Sequence, residues 1–160
     1  MKLANAAIAL LILCSGSQAL AQNAPVGARS LNDQLIQDAK DGSVAGVQQD
    51  LGNGADVNAK HKNGRTALML TAEWGSQGEV AGVLLAHGAD LSAKDKDGRT
   101  ALMWAVQFNT GMVRLLVAHG ADVNAKANDG ATALSIAESG DVFGSVDEDI
   151  VGLLHAHGAQ

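Results

Sequence analysis

The 160-residue chain has one cysteine, no tyrosine, two tryptophans and two phenylalanines. A single thiol closes no intrachain disulfide and builds no thiolate metal site by itself. With so few large side chains, a core has to be assembled from Ala, Leu and Val. That suits small helices packed closely together. Positive charge is also in deficit, with 11 Lys/Arg against 17 Asp/Glu and a net charge of −6. Nonspecific nucleic-acid binding needs a basic surface, so this balance argues against it. No glycine-rich phosphate loop follows a strand, and no Ser pairs with His in a recognisable motif. The residue types that could catalyse recur with a repeat rather than gather at one point, and the expectation is a protein that is not an enzyme.

The first residues have a pattern of their own. Lys2 supplies a positive charge, Ala6 to Leu13 is an apolar run, and Ala19-Leu20-Ala21 has the small-x-small form of a cleavage site. Ser15-Gly16-Ser17-Gln18 ends the run well short of the roughly 20 residues that span a bilayer. Residues 1–21 therefore read as a secretory signal peptide, with a periplasmic or secreted product. Lipidation at Cys14 is disfavoured, because Leu13 stands where a small residue is needed. Cleavage after Ala21 would discard Cys14 and Lys2, leaving ten Lys/Arg against seventeen acids, a net charge of −7. Residues 22–30 are a polar lead-in containing Pro25, and residues 31–160 remain for the domain.

That domain repeats itself. Gly54-Ala55-Asp56-Val57-Asn58-Ala59-Lys60 returns as Gly88-Ala89-Asp90-Leu91-Ser92-Ala93-Lys94 and as Gly120-Ala121-Asp122-Val123-Asn124-Ala125-Lys126. A second block, Asn63-Gly64-Arg65-Thr66-Ala67-Leu68-Met69, returns from Asp97 to Met103 and from Asp129 to Ser135. The glycines Gly64, Gly98 and Gly130 are 34 and 32 residues apart, a period that signals stacked repeats. Asx-Gly marks a tight turn. The following Thr stands where a helix N-cap is wanted. Ala-rich residues then form a thin first helix, and spaced aliphatics such as Val80, Val83 and Leu84 form a second. Gly88, Gly120 and Gly158 stand just past it, where a C′ glycine belongs.

On these motifs the chain resembles the ankyrin-repeat family from about Leu31 to Ala159, as four repeats near 31–62, 63–96, 97–128 and 129–160. The resemblance implies an all-α solenoid of helix-turn-helix repeats with β-turn tips. The family's T-P-L-H box is here Thr-Ala-Leu-Met twice and Thr-Ala-Leu-Ser once, which predicts looser coupling between repeats. Gly78 reads as an extra residue in the second repeat, and 140–147 as an insertion in the last. The end repeats should act as caps: Gln49-Asp50 stands where Val83-Leu84 and Leu115-Leu116 stand later.

The histidines His87, His119 and His157 share one position before the C′ glycine. Successive repeats place them roughly 10 Å apart, too far to share an ion. A histidine in the last helical turn faces the negative end of the helix dipole. The acids at 147–149 are explained by the positive end of the next helix. No metal and no cofactor are expected. The resemblance implies instead a groove for a protein partner, lined by the turn tips and the first helices. Lys60, Lys62, Arg65, Lys94, Lys96, Arg99 and Lys126 fall at those tips. They form either a solvated row, paired with Asp95 and Asp97, or a basic edge that steers an acidic partner. Behind them stand Glu73-Trp74 and Gln107-Phe108. The two aromatics are either binding hot spots or local packing, and Trp104 is expected to be buried. The exported bacterial type that the chain resembles suggests an envelope interaction module, acting as a monomer with no membrane contact. Its alternatives are an inhibitor or immunity protein of an envelope hydrolase, and support of an oxidative-stress enzyme such as a catalase.

Overall fold

The computed structural model describes residues 30–74, 78–139 and 148–160. The expected signal peptide, the expected lead-in up to Arg29 and the expected insertion at 140–147 lie outside them. The described residues form eight helices and no strand beyond an isolated bridge between Lys60 and Thr66. The helices run as four pairs: α1 (Leu31–Asp41) with α2 (Val44–Gly52), α3 (Ala67–Trp74) with α4 (Gly78–Ala86), α5 (Ala101–Phe108) with α6 (Thr110–Ala118), and α7 (Ala133–Glu138) with α8 (Glu148–Ala156). None of these helices is long and apolar enough to cross a membrane.

Local chemistry sets the helix starts. Ser30 Oγ accepts from the Asp33 N–H, Ser43 Oγ from Gly46 and Asn109 Oδ1 from Met112, each at 3.1 Å. Thr132 and Ser135 exchange side-chain and backbone bonds in a capping box. The Thr caps expected from the repeat are unequal. Thr66 Oγ1 receives the Met69 N–H at a long 3.4 Å. Thr100 makes no cap bond, and its buried hydroxyl has no hydrogen-bond partner. At the helix ends, the Nδ1 atoms of His87, His119 and His157 each lie 2.8 Å from a carbonyl four residues earlier. Each ring thus adds a second contact to a carbonyl that already accepts the histidine's own backbone N–H.

Stacking follows from side-chain size. First helices pack on first helices, α1 on α3 on α5 on α7, and second helices stack in the same order. Ala39, Ala72, Ala105 and Ala137 are buried between them, where larger side chains would hold neighbours apart. Leu68, Leu102, Val80, Leu84, Leu116, Ile150 and Leu154 are almost fully enclosed in one continuous core. Burying each such side chain stabilises the stack by about 1.5–3 kcal/mol. Met69 and Met103 are buried as well, so the departure from the family's histidine at this position adds apolar volume.

The turns are coupled by a ladder of side chains. Asn58 Oδ1 accepts the Asp90 N–H at 2.8 Å while its amide donates to Gly88 O. Asn124 does the same for Gln160 and Gly158. Ser92 stands at the matching position between them, and its hydroxyl turns back to Asp90 at 2.6 Å. Gly98 meets the next turn closely: a Cβ there would stand 2.7 Å from the Asn128 backbone N, and its φ of +77° already excludes most side chains.

The two repeat intervals also have a structural source. Three positions, 75–77, separate α3 from α4, whereas the single Asn109 separates α5 from α6. The difference accounts for the intervals of 34 and 32. Gly78, read from the sequence as an insertion, is instead the first residue of α4 and matches Thr110 of α6. The extra length lies in the connection before it.

Candidate functional site

The turn tips and the first helices border a cleft of about 500 Å³ between the first and second repeats. Its floor is apolar. Ile36 from α1 and Leu70 from α3 pack with Ala59 in a small cluster separate from the main core. Its walls are polar and charged, with Asp33, Gln37 and Lys40 on one side and His61, Lys62, Arg65 and Glu73 on the other. Trp74 closes the cleft at the end of α3 and is 56% exposed. Lys40 Nζ lies 4.7 Å from the centre of its ring, within cation–π range.

Lys40 was not among the residues singled out by sequence. Alignment of the repeats nonetheless places it level with Glu73 and Gln107, two residues already selected. The first repeat thus presents a cation where the second presents an acid.

The second aromatic, Phe108, is 39% exposed at the end of α5. It is also anchored: its ring stacks on Trp104 at 6.2 Å between centroids and 9° between planes. Trp104 is 6% exposed, buried as expected. The Trp104 indole N–H donates to Asp95 Oδ2 at 3.0 Å. The Arg65 guanidinium lies 3.8 Å from the Trp104 ring centre, and Arg99 lies 5.2 Å from it. One tryptophan thus ties the second repeat's tip to the third repeat's first helix.

The seven basic tip residues divide into two groups. Arg65 pairs with Glu73 at 2.5 Å, and Arg99 donates to Gln107 at 3.1 Å. Lys60 Nζ donates to Lys94 O and Lys94 Nζ to Lys126 O, at 2.9 and 2.8 Å. These four cations link residues within and between repeats. Lys62, Lys96 and Lys126 have exposed side chains, one per tip. Pairing of the lysines with Asp95 is not what the structure shows. Asp95 Oδ1 accepts the Asp97 and Arg99 backbone N–H groups, and Oδ2 takes Trp104. Its side chain shapes the turn. Glu73 and Gln107 likewise hold Arg65 and Arg99 in place.

Asp90, in the turn before the second tip, has its carboxyl held below the usual range. The cause is first the Ser92 hydroxyl and then the Ser92 backbone N–H, both of which donate to it. Among the described residues no group of three or more His, Cys, Asp or Glu could hold a metal ion.

Comparison with known families agrees with this geometry. A family model described as ankyrin repeats (3 copies) matches residues 35–127 and again 79–160. No curated protein matches the chain.

Proposed function

We propose, from the premise that the chain belongs to the ankyrin-repeat family, that it is a protein-binding module whose partner lies across the tips and first helices. Ankyrin repeats generally mediate protein–protein interaction, and the family is typically non-enzymatic. The observation that carries the reading is Trp74. A large aromatic 56% exposed beside an apolar-floored cleft is the kind of group that anchors an interface. Phe108 adds a second aromatic on the neighbouring repeat. Lys40, Lys62, Lys96 and Lys126, which have no ion pair among the described residues, place positive charge along the same edge of an otherwise acidic protein, which favours an acidic partner surface. The leader-like pattern at 1–21 supports a setting outside the cytoplasm, with a monomeric protein acting in the cell envelope.

The test is capture of partners from an envelope extract by the wild-type protein and by a Trp74→Ala/Phe108→Ala double variant. Loss of at least tenfold in affinity for a specific partner is expected. A double variant that holds every partner as tightly as the wild type would sink the reading. An affinity that does not change between 50 and 300 mM salt would remove the steering role of the lysines.

A further inference from the structure

We infer that the cleft at Trp74 receives a glutamate of the partner together with an adjacent apolar residue, the carboxylate meeting Lys40 and the apolar parts lying on Ile36 and Leu70. This rests on the reading that the face binds a protein, and it names what enters the cleft.

The next junction along the stack shows what such a space holds. Leu35, Leu68 and Leu102 occupy matching buried positions on α1, α3 and α5. In that register Lys40 matches Glu73, and Leu70 matches Trp104. Between the second and third repeats the Arg65 side chain lies across the groove, paired with Glu73 and 3.8 Å from the centre of the Trp104 ring. It covers the floor with its flat face, and its charge is met at the wall. Between the first and second repeats no side chain among the described residues takes that place. The helix α1 has 11 residues where α3 and α5 have eight, and its first turn occupies the positions of the later tips. In the register of Arg65 stands Asn32, whose Oδ1 accepts the Asp56 N–H at 2.8 Å. The space above Ile36 and Leu70 remains a cleft of about 500 Å³.

The wall of this cleft is reversed in charge. Where Glu73 holds a cation at the second junction, Lys40 stands at the first, exposed and 4.7 Å from the centre of the Trp74 ring. Lys62 adds a second cation on the facing wall. Two acids also border the cleft. Glu73 is already paired with Arg65, and Asp33 lies two helical turns before Lys40 on α1, about 10 Å away along the axis. A guanidinium or ammonium group would meet a like charge at Lys40, whereas a carboxylate meets an opposite one. Glutamate suits the distance between floor and wall, because its two methylenes can rest on Leu70 while its carboxylate reaches Lys40. Cavities of about 300–1,000 Å³ hold ligands larger than one side chain, which leaves room for the apolar neighbour against Trp74.

The experiment is an NMR titration of the protein with acetyl-Leu-Glu-amide, following the indole N–H signals of Trp74 and Trp104. The Trp74 signal should shift saturably, while that of Trp104, bonded to Asp95, stays in place. Acetyl-Leu-Gln-amide and acetyl-Leu-Arg-amide should bind at least threefold more weakly. Lys40→Gln should remove the preference for Glu over Gln, and Lys40→Glu should transfer it to Arg. Arg114→Gln, which removes an exposed cation on α6, should change neither. The proposal is overturned if the Trp74 shift does not saturate, if the arginine peptide binds as tightly as the glutamate peptide, if Lys40→Gln keeps the preference, or if Arg114→Gln loses it. A Trp74→Ala/Phe108→Ala variant that releases a captured partner, beside a Trp74 signal that ignores the glutamate peptide, would leave the binding face standing and refute this occupant alone.

Discussion

Replacing Asp50 with leucine should make the protein more stable, and by an amount that grows with pH. The site holds Leu84, Leu116 and Leu154 in the later repeats, each fully buried. Asp50→Leu removes a carboxyl oxygen that is closed to solvent, whose burial costs about 1–3 kcal/mol. It adds apolar area whose burial would contribute about 1.5–3 kcal/mol if complete. The end of the stack covers the new side chain incompletely, so a gain of about 2 kcal/mol at pH 7 is expected, or roughly 5–10 °C in Tm.

The pH dependence follows from linkage. The folded-state pKa of Asp50 lies above its ordinary value of 3.8, chiefly through burial and then through Asp38. In the wild type the stability associated with this group is therefore intact below 3.8 and is lost as pH rises through the folded value. The leucine variant has no such loss. Its advantage should be smallest at pH 3 and largest at pH 7, where the carboxyl must either ionise while buried or hold its proton against the solvent. Urea denaturation of both proteins at the two pH values measures the difference directly. A gain that is equal at pH 3 and pH 7, or a variant less stable than wild type at pH 7, would refute the reasoning.

Other expectations concern the repeat junctions. Ser92→Asn should restore the missing rung between the second and third turns and add about 1 kcal/mol per hydrogen bond formed, visible as slower amide exchange near Gly120 and Asp122. Gly98→Ala should cost about 3 kcal/mol or more, since a left-handed backbone costs about 1–2 kcal/mol and the added methyl meets Asn128. Gly130→Ala, with φ +85° and nothing within 4 Å, should cost about 1 kcal/mol. Equal losses in urea melts would contradict that ordering. Thr100→Val should be neutral or stabilising by up to about 1 kcal/mol, because the hydroxyl it removes is buried without a partner. Thr132→Val should lose about 1 kcal/mol with its cap. A larger loss at Thr100 than at Thr132 in thermal melts would show that the buried hydroxyl contributes after all.

Much of the fold could be read from the chain because each repeat restates the same local rules. Asx-Gly turns, threonines before Ala-Leu and glycines after aliphatic helices each act over a few residues, and repetition made them unmistakable. Alignment of the repeats placed Trp74 and Phe108 at equivalent positions, and the family resemblance implied that they face the groove; the stacking of Phe108 on Trp104 was left to the structure. The basic edge did not reduce so simply. Seven cations look alike in the sequence, yet Lys60 and Lys94 reach carbonyls about thirty residues further on, and Arg65 lies over Trp104 of the next repeat. Such contacts depend on how neighbouring turns are stacked, which no local pattern records. Gly78 was misplaced for a related reason. A helix start and a loop insertion both tolerate glycine, and the matching of α4 with α6 was needed to separate them.

The sequence by itself determined the repeat, its period, the helix pairs and the acidic balance, because these rest on backbone conformation and composition. Tertiary structure decided which charges remain available to a partner. It also decided that Lys40 belongs beside Trp74 and that Asp50 is enclosed next to Asp38. Burial and pairing across repeats are properties of the stacked assembly. They arise when surfaces distant along the chain exclude water from each other.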